Sequence, residues 1–168
     1  SKEDEWLPYI TPDGKEIYYL RKVSTEPEQT FYGRELEHKE FRLCKSVWKD
    51  TSFSGGEQLG APFNLHGNEG GITMTADKKT LYYSILTQEK GYQNCDLYMS
   101  HFQEGAWSEV VPASQNINGK NSWESQPTIS PDGQYLYFAS NRAGGLGGTD
   151  IWVCHRLPNG DWSRAENM

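Results

Sequence analysis

Three segments of the chain superimpose without a gap, and nothing else in the sequence restricts the fold as much. Residues 5–19 (EWLPYITPDGKEIYY), 69–83 (EGGITMTADKKTLYY) and 124–138 (ESQPTISPDGQYLYF) share an acidic start, an apolar–Asp–apolar frame and an aromatic end. Their aspartates, Asp13, Asp77 and Asp132, lie 77 − 13 = 64 and 132 − 77 = 55 residues apart. A second landmark keeps nearly the same step: Phe53, Trp107 and Trp162, each followed by Ser, recur at 54 and 55. The longer first interval is accounted for by 24–39, a polar stretch that reads as an extended loop.

Each repeat can be read physically. Ile10, Met74 and Ile129 stand three residues before the aspartate, and Ile17, Leu81 and Leu136 four after it. A turn such as Pro131-Asp132-Gly133 separates them: Pro presets φ, Asp bonds the backbone ahead and Gly accepts positive φ. That predicts a hairpin of an inner strand and a more aromatic second one. A third strand follows at 96–99 and 150–153, with 41–43 as the weaker match, and Pro158-Asn159-Gly160-Asp161 turns into a fourth at Trp162. Four short antiparallel strands repeated at this period make a β-propeller blade; a sandwich or closed barrel does not predict a gap-free fifteen-residue alignment. The expected fold is all-β, with blades at about 1–64, 65–118 and 119–168. Three blades fall short of the roughly four to eight that close a ring, so the chain reads as part of a larger propeller. Residues 165–168 look like the counterpart of 112–115, where the sequence runs on into another inner strand. The remaining blades are then either cut away, the preferred reading, or supplied by further chains.

Composition narrows the partners. With 10 Tyr, 6 Trp, 17 Gly and 8 Pro in 168 residues, the chain has the aromatics and turn formers of an all-β protein. A net charge of −7 and the lack of any Lys/Arg cluster argue against nucleic acid. No stretch nears the ~18 apolar residues of a membrane helix, so no direct membrane span is expected. No signal peptide is visible, although an opening on Ser-Lys-Glu-Asp makes that uninformative. Cys44, Cys95 and Cys154 form neither a disulfide framework nor zinc spacing and read as small, buried or half-buried thiols.

Residues 125–142 (SQPTISPDGQYLYFASNR), followed by GGLGGTDIW at 144–152, resemble the PD40 (WD40-like) repeat of TolB-like propellers. The Gly-Gly-Thr-Asp-Ile-Trp ending is similar to Bacteroidetes proteins that join such a propeller to a C-terminal OmpA-like domain, among them periplasmic lipoproteins of type IX secretion. The resemblance covers all three repeats and is strongest in the third; the second departs from it with Ala76-Asp77-Lys78 in place of Pro-Asp-Gly. It implies a periplasmic, outer-membrane-associated protein that binds protein partners and the rest of its own propeller. Peptidoglycan attachment would belong to the OmpA-like part, and no residue here inherits it.

The candidate chemistry is thin. Glu5, Glu69 and Glu124 share one repeat position at the entry to the inner strand. They read either as a carboxylate ring at one mouth of the channel, able to take a cation or a basic segment, or as acceptors for backbone donors at blade crossings, which is preferred. Asp13, Asp77 and Asp132 belong to turns, and Asp96 and Asp150 to bonds with loop backbone. The glycines at 144–148 lack the strand–helix context of a phosphate loop, leaving Asn141 and Arg142 beside them as candidate partner-binding residues. Trp123 and Tyr92 are candidate interface aromatics. His38, His66, His101 and His155 show no ligand spacing, and no GxSxG elbow is present. The expected function is therefore a non-enzymatic binding or scaffold module without a cofactor. The alternatives are the accessory propeller of a hydrolase, or a cation- or glycan-binding propeller.

Overall fold

The computed structural model describes residues 2–24, 28–29, 35–36, 39–65, 68–89 and 92–168. His38 and His66 lie outside the described residues, as does the side chain of Tyr92, which opens a strand and not a loop. Among the described residues there is no helix, and hence none long and apolar enough to cross a membrane. Apart from one two-stranded pair, the described strands form three antiparallel sheets, each ordered inner–second–third–fourth. The inner strands are Glu5–Ile10, Glu69–Met74 and Glu124–Ile129; the second strands are Glu16–Ser24, Thr80–Glu89 and Tyr135–Ser140. Lys39–Lys49, Tyr92–Gln103 and Asp150–His155 are the third. These are propeller blades.

The hairpin between the first two strands is built the same way three times. Thr11, Thr75 and Ser130 donate their hydroxyls to Oδ1 of Asp13, Asp77 and Asp132. The same oxygens accept the backbone N–H of Lys15, Lys79 and Gln134 at 3.0–3.1 Å. Carbonyls of Thr11, Thr75 and Ser130 take the N–H three residues on, closing a type I turn. The residue after the aspartate then stands at positive φ: Gly14 at 69°, Lys78 at 58° and Gly133 at 70°. Glycine suits that conformation and lysine does not. Lys78 instead reaches back one blade, its Nζ 2.8 Å from Asp13 Oδ2 and 3.5 Å from Glu16 Oε2. The departure from Pro-Asp-Gly thus exchanges local ease for an ion pair between neighbouring turns.

The fourth strand is broken in every blade. In the first it is Ser52–Phe53 and Glu57–Gln58, and in the second Ala106–Trp107 and Val111–Pro112. The third has a bridge from Arg156 to Trp162 and then Glu166–Asn167. This corrects the alignment of the last residues: Asn167 opposes Trp152 as Pro112 opposes Tyr98, so 166–167 match 111–112 and continue the strand. The step of 55 from Trp107 to Trp162 carries the same register, since 112 + 55 = 167. Within the partly described stretch 25–38, Glu28–Gln29 pairs with Glu35–Leu36.

Alternate side chains of a strand face opposite ways, so the second blade packs against the first with one face and the third with the other. Tyr83, Leu81, Ile85 and Ile72 meet Tyr18, Leu20 and Leu43 of the first blade. Tyr82 and Leu97 meet Leu136, Phe138 and Trp152 of the third. Complete burial of each aliphatic side chain contributes ~1.5–3 kcal/mol, so these two interfaces dominate the stability. Trp162 Nε1 donates to Tyr82 Oη at 3.3 Å, and the Ile129 N–H donates to Thr73 Oγ1 at 3.1 Å, both across the second interface. Leu43 and Leu97 hold one repeat position and are 0% exposed, whereas Ile151 at the same position is 53% exposed. Only the former have a following blade over them.

Candidate functional site

Polar side chains of the third blade converge where the inner strand begins. Glu124 is 0% exposed. Its Oε2 accepts the Gly119 N–H at 2.9 Å; its Oε1 accepts from Ser122 Oγ at 2.8 Å, Ser140 Oγ at 2.7 Å and Arg142 Nη2 at 2.9 Å. Arg142 lies over Phe138 and Trp152, at 5.0 and 5.3 Å from their ring centres, and also donates to Ser140 Oγ and to the Ile117 carbonyl. A buried carboxylate with four donors and a caged guanidinium is a tightly held ion pair. Asn141 turns the other way and accepts the Trp123 N–H on Oδ1 at 2.8 Å. Trp123 itself is 48% exposed. The three candidate partner-binding residues are therefore brought together, with Arg142 engaged internally and Trp123 offered to solvent.

The other two glutamates occupy the same register position in different surroundings. Glu5 lies near the surface and pairs with Arg21, whose Nη2 and Nε reach Oε1 at 2.9 and 3.0 Å. Glu69 is buried. The inner strands carry a bulge just beyond the glutamate in all three blades, with register shifts at Trp6/Tyr9, Glu69/Ile72 and Ser125/Thr128. Leu7 and Gln126, in those bulges, have φ of 47° and 52°. No three His, Cys, Asp or Glu side chains among the described residues are gathered closely enough to hold a metal ion.

Asp150 closes the glycine loop, accepting the Gly147 N–H at 3.0 Å on Oδ2. A Cβ on Gly145 would stand 2.1 Å from that oxygen, which explains the glycine. Asp96, at the equivalent position, takes the Asn94 side-chain amide at 2.8 Å instead of loop backbone. Burial, aided by the nearby charge of Glu124, pushes its carboxyl up to about 6. The cysteines are free and buried, and burial holds the Cys95 and Cys154 thiols up at about 11, which leaves them poor nucleophiles. His101 Nδ1 is 3.1 Å from Thr80 Oγ1, while His155 sits on an outer strand surface.

Two residues that sequence reasoning passed over prove structural. Asn64 Oδ1 accepts the Leu43 N–H at 2.6 Å and its Nδ2 donates to the Leu43 carbonyl at 2.8 Å. Asn118 treats Leu97 identically, at 2.9 and 2.8 Å. Their spacing, 118 − 64 = 54, matches the aromatic landmark and was the available signal. Between the first and second blades, on the hairpin-turn side, a groove of about 380 Å³ is lined by Tyr18, Met74, Phe102 and Trp107 with Lys45 and Lys78 at its edge.

No protein-family model and no curated protein matches the chain. Solved structures do match it. A puromycin-hydrolysing peptidase from Mycobacterium tuberculosis is 11% identical with a TM-score of 0.58, over 96% of this chain and 23% of its own. A prolyl endopeptidase is 15% identical with a TM-score of 0.55, over 96% and 21%. Prolyl oligopeptidase B from Galerina marginata, bound to a 25mer macrocyclization substrate, is 15% identical with a TM-score of 0.51, over 99% and 22%. The chain thus spans between 21% and 23% of the length of these peptidases. At such identities the likeness is one of fold: three four-stranded blades of the kind found in propeller-containing proteins.

Proposed function

We propose that these blades form a non-catalytic, protein-binding part of a periplasmic, outer-membrane-associated scaffold. The PD40-like repeat and its Gly-Gly-Thr-Asp-Ile-Trp ending support a place in a type IX secretion assembly, in a lipoprotein of the PorE type with an OmpA-like domain. One observation carries the non-catalytic reading: the repeated polar side chains are engaged in holding the blades. Asp13, Asp77 and Asp132 tie turns, Asn64 and Asn118 tie third strands, and Glu124 is enclosed by its donors. A general acid or nucleophile must be free to act on substrate: Glu124 faces inward, and the exposed turn aspartates are committed to their hydroxyl and backbone donors. Trp123, exposed at the rim beside Asn141, is the side chain best placed to meet a protein partner.

A photo-crosslinking residue at position 123 of the full-length protein, in its native cells, should give one discrete adduct with an outer-membrane-fraction protein. A crosslinker at Asn159, in the exposed turn Pro158–Asp161, should give none. Equal labelling at both positions, or no adduct at either, would refute the reading. The second reading, an accessory propeller of a hydrolase, is favoured by the fold likeness to prolyl peptidases. It requires that the full-length protein cleave a chromogenic proline peptide, which the scaffold reading forbids.

A further inference from the structure

The two blade interfaces contain a repeated plug. Phe63, in the linker leaving the first blade, is buried between Tyr83 and Trp107 of the second, with ring centres 5.9 and 5.6 Å apart. Ile117, 117 − 63 = 54 residues later, leaves the second blade and is buried with Leu136, Phe138 and Trp162 of the third. Each plug is followed directly by the asparagine that clamps the third strand of its own blade, Asn64 to Leu43 and Asn118 to Leu97. The apolar–Asn pair therefore points both ways: the asparagine holds the blade just completed and the apolar side chain enters the next.

The first blade has the same socket, and it is open. A cavity of about 390 Å³ is lined by Ile17, Tyr19 and Phe53. These are the repeat equivalents of Leu81, Tyr83 and Trp107 around Phe63, and of Leu136, Phe138 and Trp162 around Ile117. The rest of its wall includes Trp6, Pro8 and the backbone of Gly55 and Gly56, with the Glu5–Arg21 ion pair and Ser46 on its polar side. Two of three sockets receive a branched or aromatic apolar side chain from the preceding linker, and the third presents the same walls.

We infer that this cavity is the docking site for the linker of another propeller blade, an extended segment in which an aromatic or branched apolar residue is followed directly by Asn. The occupant is a peptide segment recognised by one buried side chain, and neither a small polar metabolite nor a second copy of this chain. Phe63 and Ile117 are already seated in the sockets of the second and third blades. A second copy of these residues therefore brings two plugs that are both buried in its own blades. Because the socket belongs to the blade architecture, a negative result leaves the proposed scaffold role untouched.

The test uses the 168-residue chain and two synthetic peptides of its own linkers, 57–65 (EQLGAPFNL) and 111–119 (VPASQNING). Titration followed by tryptophan fluorescence, which Trp6 in the wall should report, is expected to show saturable binding with one site per chain. Replacing the Phe of the first peptide by Ala should weaken it at least tenfold, while Phe→Ile should keep it within about threefold. A Gly55→Trp variant should abolish binding without unfolding the chain, since a Cβ there meets nothing within 4 Å. Its melting curve and circular dichroism check that the fold is kept. Equal binding by the Ala peptide, or full binding by Gly55→Trp, would overturn the inference. So would concentration-dependent dimerisation in light scattering that the peptides do not reverse, because the socket would then belong to a second copy.

Discussion

Glu124→Gln and Arg142→Met, alone and together, ask whether the enclosed ion pair is a unit. Breaking a buried pair by removing one partner costs about 3–5 kcal/mol, because the remaining charge stays desolvated. Glu124 loses its charge to Gln, and the new amide must present NH₂ to a site filled with donors, either Gly119 N–H or the Ser122, Ser140 and Arg142 set. Arg142 is held against Phe138 and Trp152, but its side chain keeps 16% exposure, so water relieves part of the penalty. The lower end, ~3 kcal/mol, follows for Glu124→Gln. Arg142→Met strands a wholly buried carboxylate and should cost ~3–4 kcal/mol. If the charges were independent the double variant would lose ~6–7 kcal/mol; removing both together should leave the loss near ~4 kcal/mol, a coupling of ~2–3 kcal/mol.

Urea unfolding followed by tryptophan fluorescence reads these differences as midpoint shifts at constant slope. In thermal melts a chain of this length moves ~2–4 °C per kcal/mol, so Glu124→Gln should lower the midpoint by about 6–12 °C. The Glu5→Gln variant is the internal control. It breaks the equivalent pair with Arg21, whose glutamate side chain is 37% exposed, and should cost below ~1 kcal/mol. Additive single effects with coupling under ~0.5 kcal/mol, or a Glu5→Gln loss matching that of Glu124→Gln, would refute the reasoning.

Asn118→Ala should destabilise by ~2 kcal/mol in the same urea assay, because the Leu97 N–H inside a buried strand loses the Oδ1 that accepts it. At Lys78, where φ is 58°, Gly should be more stable than Ala by ~1 kcal/mol; both lose the ion pair to Asp13, so the difference isolates the backbone. Asp96 has its carboxyl raised to about 6 in the fold, above its ordinary value of 3.8. The folded state therefore holds that proton longer than the unfolded one, and stability falls as pH rises from about 4 to 6. Asp96→Asn should flatten that part of the profile and raise stability at pH 7. Asp13, Asp77 and Asp132 are shifted the other way by their hydroxyl and backbone donors, with Lys78 the largest influence on Asp13. Their contribution is present above pH 4 and is lost as pH falls below it, so acid titration of Asp96→Asn should show this loss together with that of Glu16, whose carboxyl is also held down, against burial, by Lys45 and Lys78.

The blade was legible because its determinants are local. A Thr or Ser two residues before an aspartate, a turn, and aromatics after it describe a complete hydrogen-bond circuit that the chain closes without distant help. Period-two alternation likewise reveals that Tyr82 and Tyr83 face opposite ways. The broken fourth strand was not legible. Two-residue pieces such as Ala106–Trp107 and Val111–Pro112 owe their pairing to the third strand beside them and carry no period of their own. Asn64 and Asn118 escaped notice for a related reason: an asparagine followed by Leu or Gly looks like loop chemistry until the strand it clamps is in view.

The glutamates show where repeat reasoning must stop. One sequence position gives a surface ion pair at Glu5 and an enclosed one at Glu124, because solvent is excluded by neighbours and not by the residue itself. Leu43, Leu97 and Ile151 say the same in apolar terms, since the side chain without a following blade is the exposed one. Register therefore predicts which way a side chain points, and the adjoining blade decides whether it meets water. For a run of blades, equivalent polar residues are then the weakest guide to binding, because the fold uses them repeatedly. The informative places are those where the repeat is locally unfinished: an open socket at Tyr19 and Phe53, an uncovered face at Ile151, and a rim tryptophan at position 123 with no counterpart in the other blades.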